Sequence, residues 1–141
     1  MSSQKLPWVV AGAGLLALGI VLVAQRRGST SPISTTSTVH PDPRPGITAE
    51  RVLPSSMMPN GPGVLAAYEA ARSAPQALDG VYCHCNCSKS IGHRSLLTCF
   101  ETEHGAYCDI CMGEAMLAAK MAGDGRSLTE IRQAIDAQFG S

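Results

Sequence analysis

The chain has 141 residues, and its 11 basic side chains balance 11 acidic ones, so the formal net charge at pH 7 is zero. The charges are unevenly placed: residues 1–61 hold five basic and two acidic residues, whereas residues 62–141 hold six basic and nine acidic ones. The acidic second part argues against nucleic-acid binding, and the length allows one small domain with attachments.

Residues 6–25 form an uncharged and strongly apolar stretch. As a helix this stretch would be roughly 30 Å long, the thickness of a bilayer's hydrocarbon core. Trp8 near one end of the stretch, and the pair Arg26 and Arg27 at the other end, suit the two membrane–water interfaces. Two alternatives are a cleaved signal peptide and a buried core helix. The sequence matches a signal-peptidase cleavage site poorly. A core helix would be expected to show one polar face, which this stretch lacks. We therefore predict a transmembrane anchor over residues 1–27, with residues 6–25 in the membrane. The flanking charges do not decide its orientation.

Serine, threonine and proline dominate the next segment, residues 28–61. Eight of the eleven residues from Ser29 to Val39 are Ser or Thr, and seven of the nine prolines lie between Pro32 and Pro62. Such a composition predicts an extended or disordered linker. Linkers of this kind are common between a membrane anchor and an extracytoplasmic domain. We therefore expect the C-terminal part to lie outside the cytoplasm, in the periplasm or at the cell surface.

Residues 62–141 are predicted to form a small all-α domain, because no window shows the period-two alternation of a strand. A first helix runs from Val64 to Ala74 and ends before Pro75. Ser90 could cap a second helix of about ten residues. Two further helices follow, and their end signals are glycines at positions 123 and 125 and a capping box at residues 127–130. We expect the third helix to start near residue 105 and run to residue 122, and the last to begin after residue 127.

All six cysteines lie in this domain, with histidines between them. In an extended loop, the side chains of Cys83, Cys85 and Cys87 project to one side. Cys108 and Cys111 share a face at a predicted helix start, where the helix dipole favours thiolate. The candidate metal ligands are Cys83, Cys85, Cys87, Cys99, Cys108, Cys111, His93 and His104.

Thiolates bind soft or borderline metals, and a metal that joins several loops would stabilise so small a domain. Copper(I) fits this set best, with zinc and an iron–sulfur cluster as alternatives. A disulfide framework is the competing interpretation, since six cysteines in an exported domain could form three bridges. Three bridges within 29 residues would be crowded, and metal binding is the interpretation we favour.

The order of these residues resembles a known family. The segments Cys83-His-Cys-Asn-Cys87, His93 to Phe100, His104 to Cys111 and Gly125 to Arg132 resemble exported bacterial proteins and lipoproteins named for a Pro-Cys-Tyr-Cys-Gly-Cys motif. The resemblance covers about residues 79–140. This chain has Tyr82, His84 and Asn86 where that motif has Pro, Tyr and Gly, so the cysteines are kept and an imidazole is added. The resemblance implies an extracytoplasmic setting and no particular activity.

Three hypotheses for function follow from these observations. The leading one is a membrane-tethered extracytoplasmic protein that buffers copper or delivers it to or from a partner protein, without catalysis. The second is a thiol–disulfide protein whose redox pair is Cys108 and Cys111. The third is a structural small subunit of a membrane complex.

Overall fold

The structure of the protein, a computed structural model, describes residues 40–140. This range contains five α-helices and four 3-10 helices and no β-strand, which confirms the all-α prediction for these residues. The α-helices are α1 (Val64–Ser73), α2 (Pro75–Asp79), α3 (Cys87–Ser90), α4 (Asp109–Gly123) and α5 (Leu128–Phe139). The 3-10 helices are Ala49–Arg51, Ser55–Met57, Leu97–Cys99 and Glu103–Tyr107.

The predicted anchor, residues 1–27, lies outside the described residues, as do residues 28–39 of the predicted linker. Between residues 40 and 140, no helix combines the length and the apolar character needed to span a membrane.

Helix α4 lies at the centre of the packing, with α1, α2 and α5 against it. Its alanines at positions 115 and 118 are fully buried, and such small side chains let neighbouring helices approach closely. Gly113 serves the same purpose, because a Cβ added there would lie only 3.1 Å from the ring of Phe139 at the end of α5. The ring of Tyr68 on α1 packs edge-on against Phe100, with centroids 5.0 Å apart.

The first and last predicted helices are confirmed. Helix α1 ends at Ser73, before Pro75. Helix α5 has the predicted capping box, in which the Ser127 hydroxyl accepts the Glu130 backbone N–H and the Glu130 carboxylate accepts the Ser127 N–H. Ile131 and Ile135 form its buried face.

The second predicted helix does not form. Ser90 ends the single turn α3, and Gly92 then adopts a φ of +75°, a left-handed conformation that interrupts a right-handed helix. Leu96 and Leu97 are buried at the start of a separate 3-10 turn, and the Leu96 N–H bonds to the Val81 carbonyl. Tertiary contacts thus replace the expected helical hydrogen bonds in this segment.

The third predicted helix is divided in two. A 3-10 helix, Glu103–Tyr107, comes first, and α4 begins only at Asp109. Between them Cys108 is extended, with φ −137°, and acts as the N-cap of α4. The predicted end is close to the observed one, because α4 ends at Gly123 and Gly125 has a φ of +74°.

Residues 40–61, here called the docked arm, differ from the extended linker that was expected. Ile47, Val52 and Met58 are buried in the core, and the Leu53 N–H bonds to the Phe100 carbonyl. Arg72 of α1 donates to two arm carbonyls. The prolines keep the arm largely irregular, as expected, but its spaced apolar residues bury enough surface to dock it.

An ion pair between Arg44, which is partly exposed, and a buried carboxylate holds the docked arm in place. Asp79, at the end of α2, is fully buried, and its Oδ1 lies 2.7 Å from the Arg44 guanidinium. The Arg44 backbone N–H and the Ser95 hydroxyl also donate to this carboxylate. Burial would raise the pKa of Asp79, but the hydrogen bonds from Arg44 outweigh it and lower the pKa.

Removing this arginine is expected to destabilise the domain. Arg44→Ala leaves the Asp79 carboxylate buried without its main partner, which costs about 3 kcal/mol of unfolding free energy. Arg51→Ala is the matched control, because Arg51 is half-exposed and its side chain pairs with Glu101, a contact that contributes about 1 kcal/mol at most. Urea unfolding measures both, and equal losses would contradict the role given to Arg44.

Candidate metal centre

Three segments bring sulfurs and imidazoles together. Two of them are the loop that carries Cys83, Cys85 and Cys87, and the first turn of α4, which carries Cys111. The third, residues 93–104, carries Cys99 and two histidines. Asn86, directly before α3, adopts a left-handed conformation with φ 63°, so the chain turns between Cys85 and Cys87. Gly105 admits close packing beside the centre, since a Cβ there would lie 2.9 Å from the Phe100 ring.

Three sulfurs form what we call the sulfur triangle: Cys83, Cys85 and Cys111. Their Sγ atoms are 3.3 Å apart between Cys83 and Cys85, 3.3 Å between Cys83 and Cys111, and 3.5 Å between Cys85 and Cys111. Cys83 and Cys111 are buried, and Cys85 is partly exposed. The triangle therefore has one side close to solvent.

Four residues form what we call the histidine group: Cys87, His93, Cys99 and His104. One ligand atom from each lies within 4.8 Å of the others. The Cys87 and Cys99 sulfurs are 3.4 Å apart, and His93 Nδ1 is 3.2 Å from the Cys99 sulfur. Burial and the neighbouring His104 lower the pKa of His93, which favours the neutral imidazole that binds metals.

The two groups are contiguous. Cys99 also lies within 4.8 Å of Cys83 and Cys111, and His104 lies within the same distance of Cys85 and Cys111. Five sulfurs and two imidazoles thus surround one small volume. A tetrahedral zinc site with bonds of about 2.3 Å separates its sulfurs by about 3.8 Å, so shifts of a few tenths of an ångström would accommodate a metal ion.

All six cysteines lie within the described residues, and all six are free thiols. Burial and contact with neighbouring sulfurs shape their acidity. The hydrogen bond with Cys111, followed by burial, raises the pKa of Cys83. Burial also tends to raise the pKa of Cys85, but hydrogen bonds donated by Cys83 and by its other neighbours outweigh this and lower it. Cys85 is therefore the thiol most ready to meet a metal ion as thiolate.

Of the eight predicted ligands, the structure brings seven together and leaves out Cys108. The Cys108 sulfur accepts the Cys111 backbone N–H at 3.4 Å and so caps α4. No group of potential ligand atoms within residues 40–140 includes it. The two cysteines of the C-x-x-C motif thus have different surroundings, one at the helix cap and one in the sulfur triangle.

Sequence reasoning missed a buried polar network behind the cysteine loop. Glu114 of α4 is fully buried, and its Oε1 accepts the His84 backbone N–H at 2.9 Å and lies 2.7 Å from His84 Nδ1. His84 Nε2 lies 3.0 Å from an Asp136 oxygen, although without hydrogen-bond geometry. The other Glu114 oxygen has no hydrogen-bond partner within residues 40–140.

The network continues to the docked arm. Asp136 lies 3.1 Å from Nε2 of His40, whose Nδ1 accepts the Tyr82 backbone N–H. The backbone N–H groups on both sides of Cys83, those of Tyr82 and His84, are therefore hydrogen-bonded. One feature of the sequence could have identified Glu114. It follows Cys111 by three residues, which places both side chains on one face of a helix.

Comparison with known proteins identifies the sequence family. The model of the family described as "Protein of unknown function with PCYCGC motif" matches residues 29–141. Neither the curated proteins nor the solved structures include a significant match to the chain.

Proposed function

Because the chain belongs to the family of proteins of unknown function with a PCYCGC motif, we propose its function from the site itself: it is a metal-binding protein that buffers or delivers copper. The observation that carries the proposal is the convergence of five cysteine sulfurs and two imidazoles on one volume. A cluster of this composition suits soft metal ions. It also lacks the hard oxygen ligands that magnesium and calcium require.

The preference for copper(I) rests on the share of sulfur among the ligands. Five of the seven potential ligand atoms are cysteine sulfurs, and a ligand set dominated by thiolate suits copper(I), whereas zinc also accepts sets richer in histidine. An iron–sulfur cluster is a further alternative, since four cysteines, or two cysteines with two histidines, can hold one. Zinc is the nearest alternative, since the histidine group alone offers two sulfurs and two nitrogens.

We also propose that the domain is tethered to a membrane by residues 6–25 and lies outside the cytoplasm. The uncharged apolar stretch and the Ser- and Thr-rich residues that follow it support this setting. Copper exchange with a partner protein at the membrane is consistent with a ligand set that lies partly at the surface.

Metal analysis of the full-length chain tests the proposal. Protein expressed without added metal, purified in detergent and kept reduced should contain stoichiometric copper, or take up copper(I) stoichiometrically in competition with a chelator. A protein that contains no metal and takes up neither copper(I) nor zinc would overturn metal binding. Tight binding of zinc with weak binding of copper(I) would overturn the choice of metal.

The redox hypothesis has a different structural basis from the one expected. Cys108 is the helix cap, and the acidic thiol is Cys85, which lies within 3.5 Å of the Cys83 and Cys111 sulfurs. Any reversible disulfide in this domain should therefore involve Cys85. Thiol trapping across redox buffers distinguishes this candidate from metal binding.

A further inference from the structure

The number of ligand atoms in the centre exceeds what one ion can use. Copper(I) and zinc accept at most about four ligands of this kind. Seven potential ligand atoms converge here, so a single ion would leave at least three of them without metal. Four of the cysteine sulfurs concerned belong to side chains that are almost completely buried, at positions 83, 87, 99 and 111.

The ligand atoms fall into two sets, each with the number of atoms that one metal ion binds. The sulfur triangle supplies three sulfurs at mutual distances of 3.3–3.5 Å, a set suited to a three-coordinate copper(I) ion. The histidine group supplies two sulfurs and two nitrogens within 4.8 Å of one another, a set suited to a four-coordinate ion. Each set comes from more than one segment of the chain.

One sulfur lies in reach of both sets. Cys99 belongs to the histidine group, and its Sγ is also within 4.8 Å of the Cys83 and Cys111 sulfurs. A thiolate has more than one lone pair and can bind two soft ions at once. Cys99 is fully buried in the core, so its sulfur stays where both sets meet.

From this geometry we infer that the centre holds two metal ions side by side, one in the sulfur triangle and one in the histidine group, with the Cys99 thiolate bridging them. The inference rests on the proposed metal-binding function and adds its stoichiometry and its bridging ligand. Loading with copper(I) involves no electron transfer: each thiol that becomes a ligand releases its proton to solvent, and a copper–sulfur bond takes its place.

Copper(I) titration of the full-length chain tests the inference. The reduced metal-free protein is titrated anaerobically with copper(I) against a coloured copper(I) chelator, and X-ray absorption of the loaded protein measures copper–copper scattering. We expect two tightly bound ions per chain and a short copper–copper distance. One tight ion would overturn the two-ion inference and leave the proposed function intact, whereas no binding would overturn both.

Variants of single ligands test which residues hold each of the two proposed ions. Cys85→Ser removes a partly exposed ligand of the triangle, and His93→Ala removes a partly exposed ligand of the histidine group, so each should reduce tight binding from two ions to one. Cys108→Ser is the matched control and should still bind two, because Cys108 lies outside both groups and serine also caps helices. If either ligand variant still bound two ions tightly, the assignment would be overturned.

Cys99→Ser tests the bridge. We expect loss of the copper–copper scattering and a loss of affinity of at least tenfold at both positions. Circular dichroism confirms that the variant is folded. Persistence of the copper–copper scattering in folded Cys99→Ser protein would overturn the bridging role. Should this variant not fold, the single-position variants still decide between one ion and two.

Discussion

The metal-free protein is expected to lose stability steeply above about pH 8.5, where thiols of the unfolded chain ionise. The pKa of Cys83 is raised in the folded protein, as are those of Cys99 and Cys111. For Cys99, the hydrogen bond with Cys111 lowers the pKa, but contact with Cys83 and burial raise it by more. For Cys111, the hydrogen bond with Cys83 lowers the pKa, and contact with Cys99 and burial again prevail.

The sign follows from which state holds the proton more tightly. A raised pKa in the folded state contributes stability that is fully present below the unfolded value and is lost as the pH rises above it. Each of the three thiols that stays protonated in the folded protein costs up to about 1.4 kcal/mol per pH unit in that range. Together they approach the whole stability of an ordinary small domain within about two pH units.

Chemical unfolding at a series of pH values measures this slope. The experiment uses reduced, metal-free protein between about pH 7 and pH 10. A metal-loaded sample is the control, because its ligand thiols have already lost their protons and its stability should change far less. Equal stability of the metal-free protein at both ends of the range would show that these thiols do not hold their protons in the folded state.

The second large effect concerns a residue that is not a ligand. Glu114→Ala removes the acceptor of the His84 backbone N–H, in the loop between Cys83 and Cys85. The groups that orient metal ligands commonly contribute a factor of about 10–100 in affinity. We therefore expect copper(I) affinity to fall by about that factor, and unfolding free energy to fall by about 1–3 kcal/mol because His84 loses its buried partner.

Two comparison variants distinguish a loss of cysteine-loop orientation from a general loss of stability. Glu114→Gln keeps an oxygen that can accept the His84 N–H and should retain most of the affinity. Asp124→Asn changes an exposed carboxylate after the end of the same helix and should alter neither quantity. Competition with a copper(I) chelator and urea unfolding measure the two effects. Unchanged affinity in Glu114→Ala would show that the loop is held in place without this carboxylate.

The sequence predicted those parts of the fold that depend on local signals. The capping box at Ser127 and the break before Pro75 each act within one turn of chain, and both were located correctly. The helix expected after Ser90 failed because Leu96 and Leu97 are buried through contacts with distant segments. Composition alone did not predict that the docked arm packs against the core, because its average polarity conceals a few well-spaced apolar residues.

The candidate site shows the same division. The spacing of the cysteines and histidines predicted a cluster of potential ligands, and seven of the eight candidates lie close together. The exclusion of Cys108 depends on one extended residue between two helices, which no spacing rule describes. Glu114 was missed because a carboxylate on a helix ordinarily faces solvent, and only the tertiary structure shows it enclosed behind the loop.

The uneven exposure of the ligands has a consequence for rates. Cys85, His93 and His104 are partly exposed, whereas Cys83, Cys99 and Cys111 are buried behind them. An incoming thiol or imidazole can therefore attack a bound ion from the solvent side and displace the outer ligands first. If the centre holds a metal ion as proposed, exchange by this route would not require the buried core to open. We expect transfer to a partner to be much faster than global unfolding, even when the ion is bound tightly.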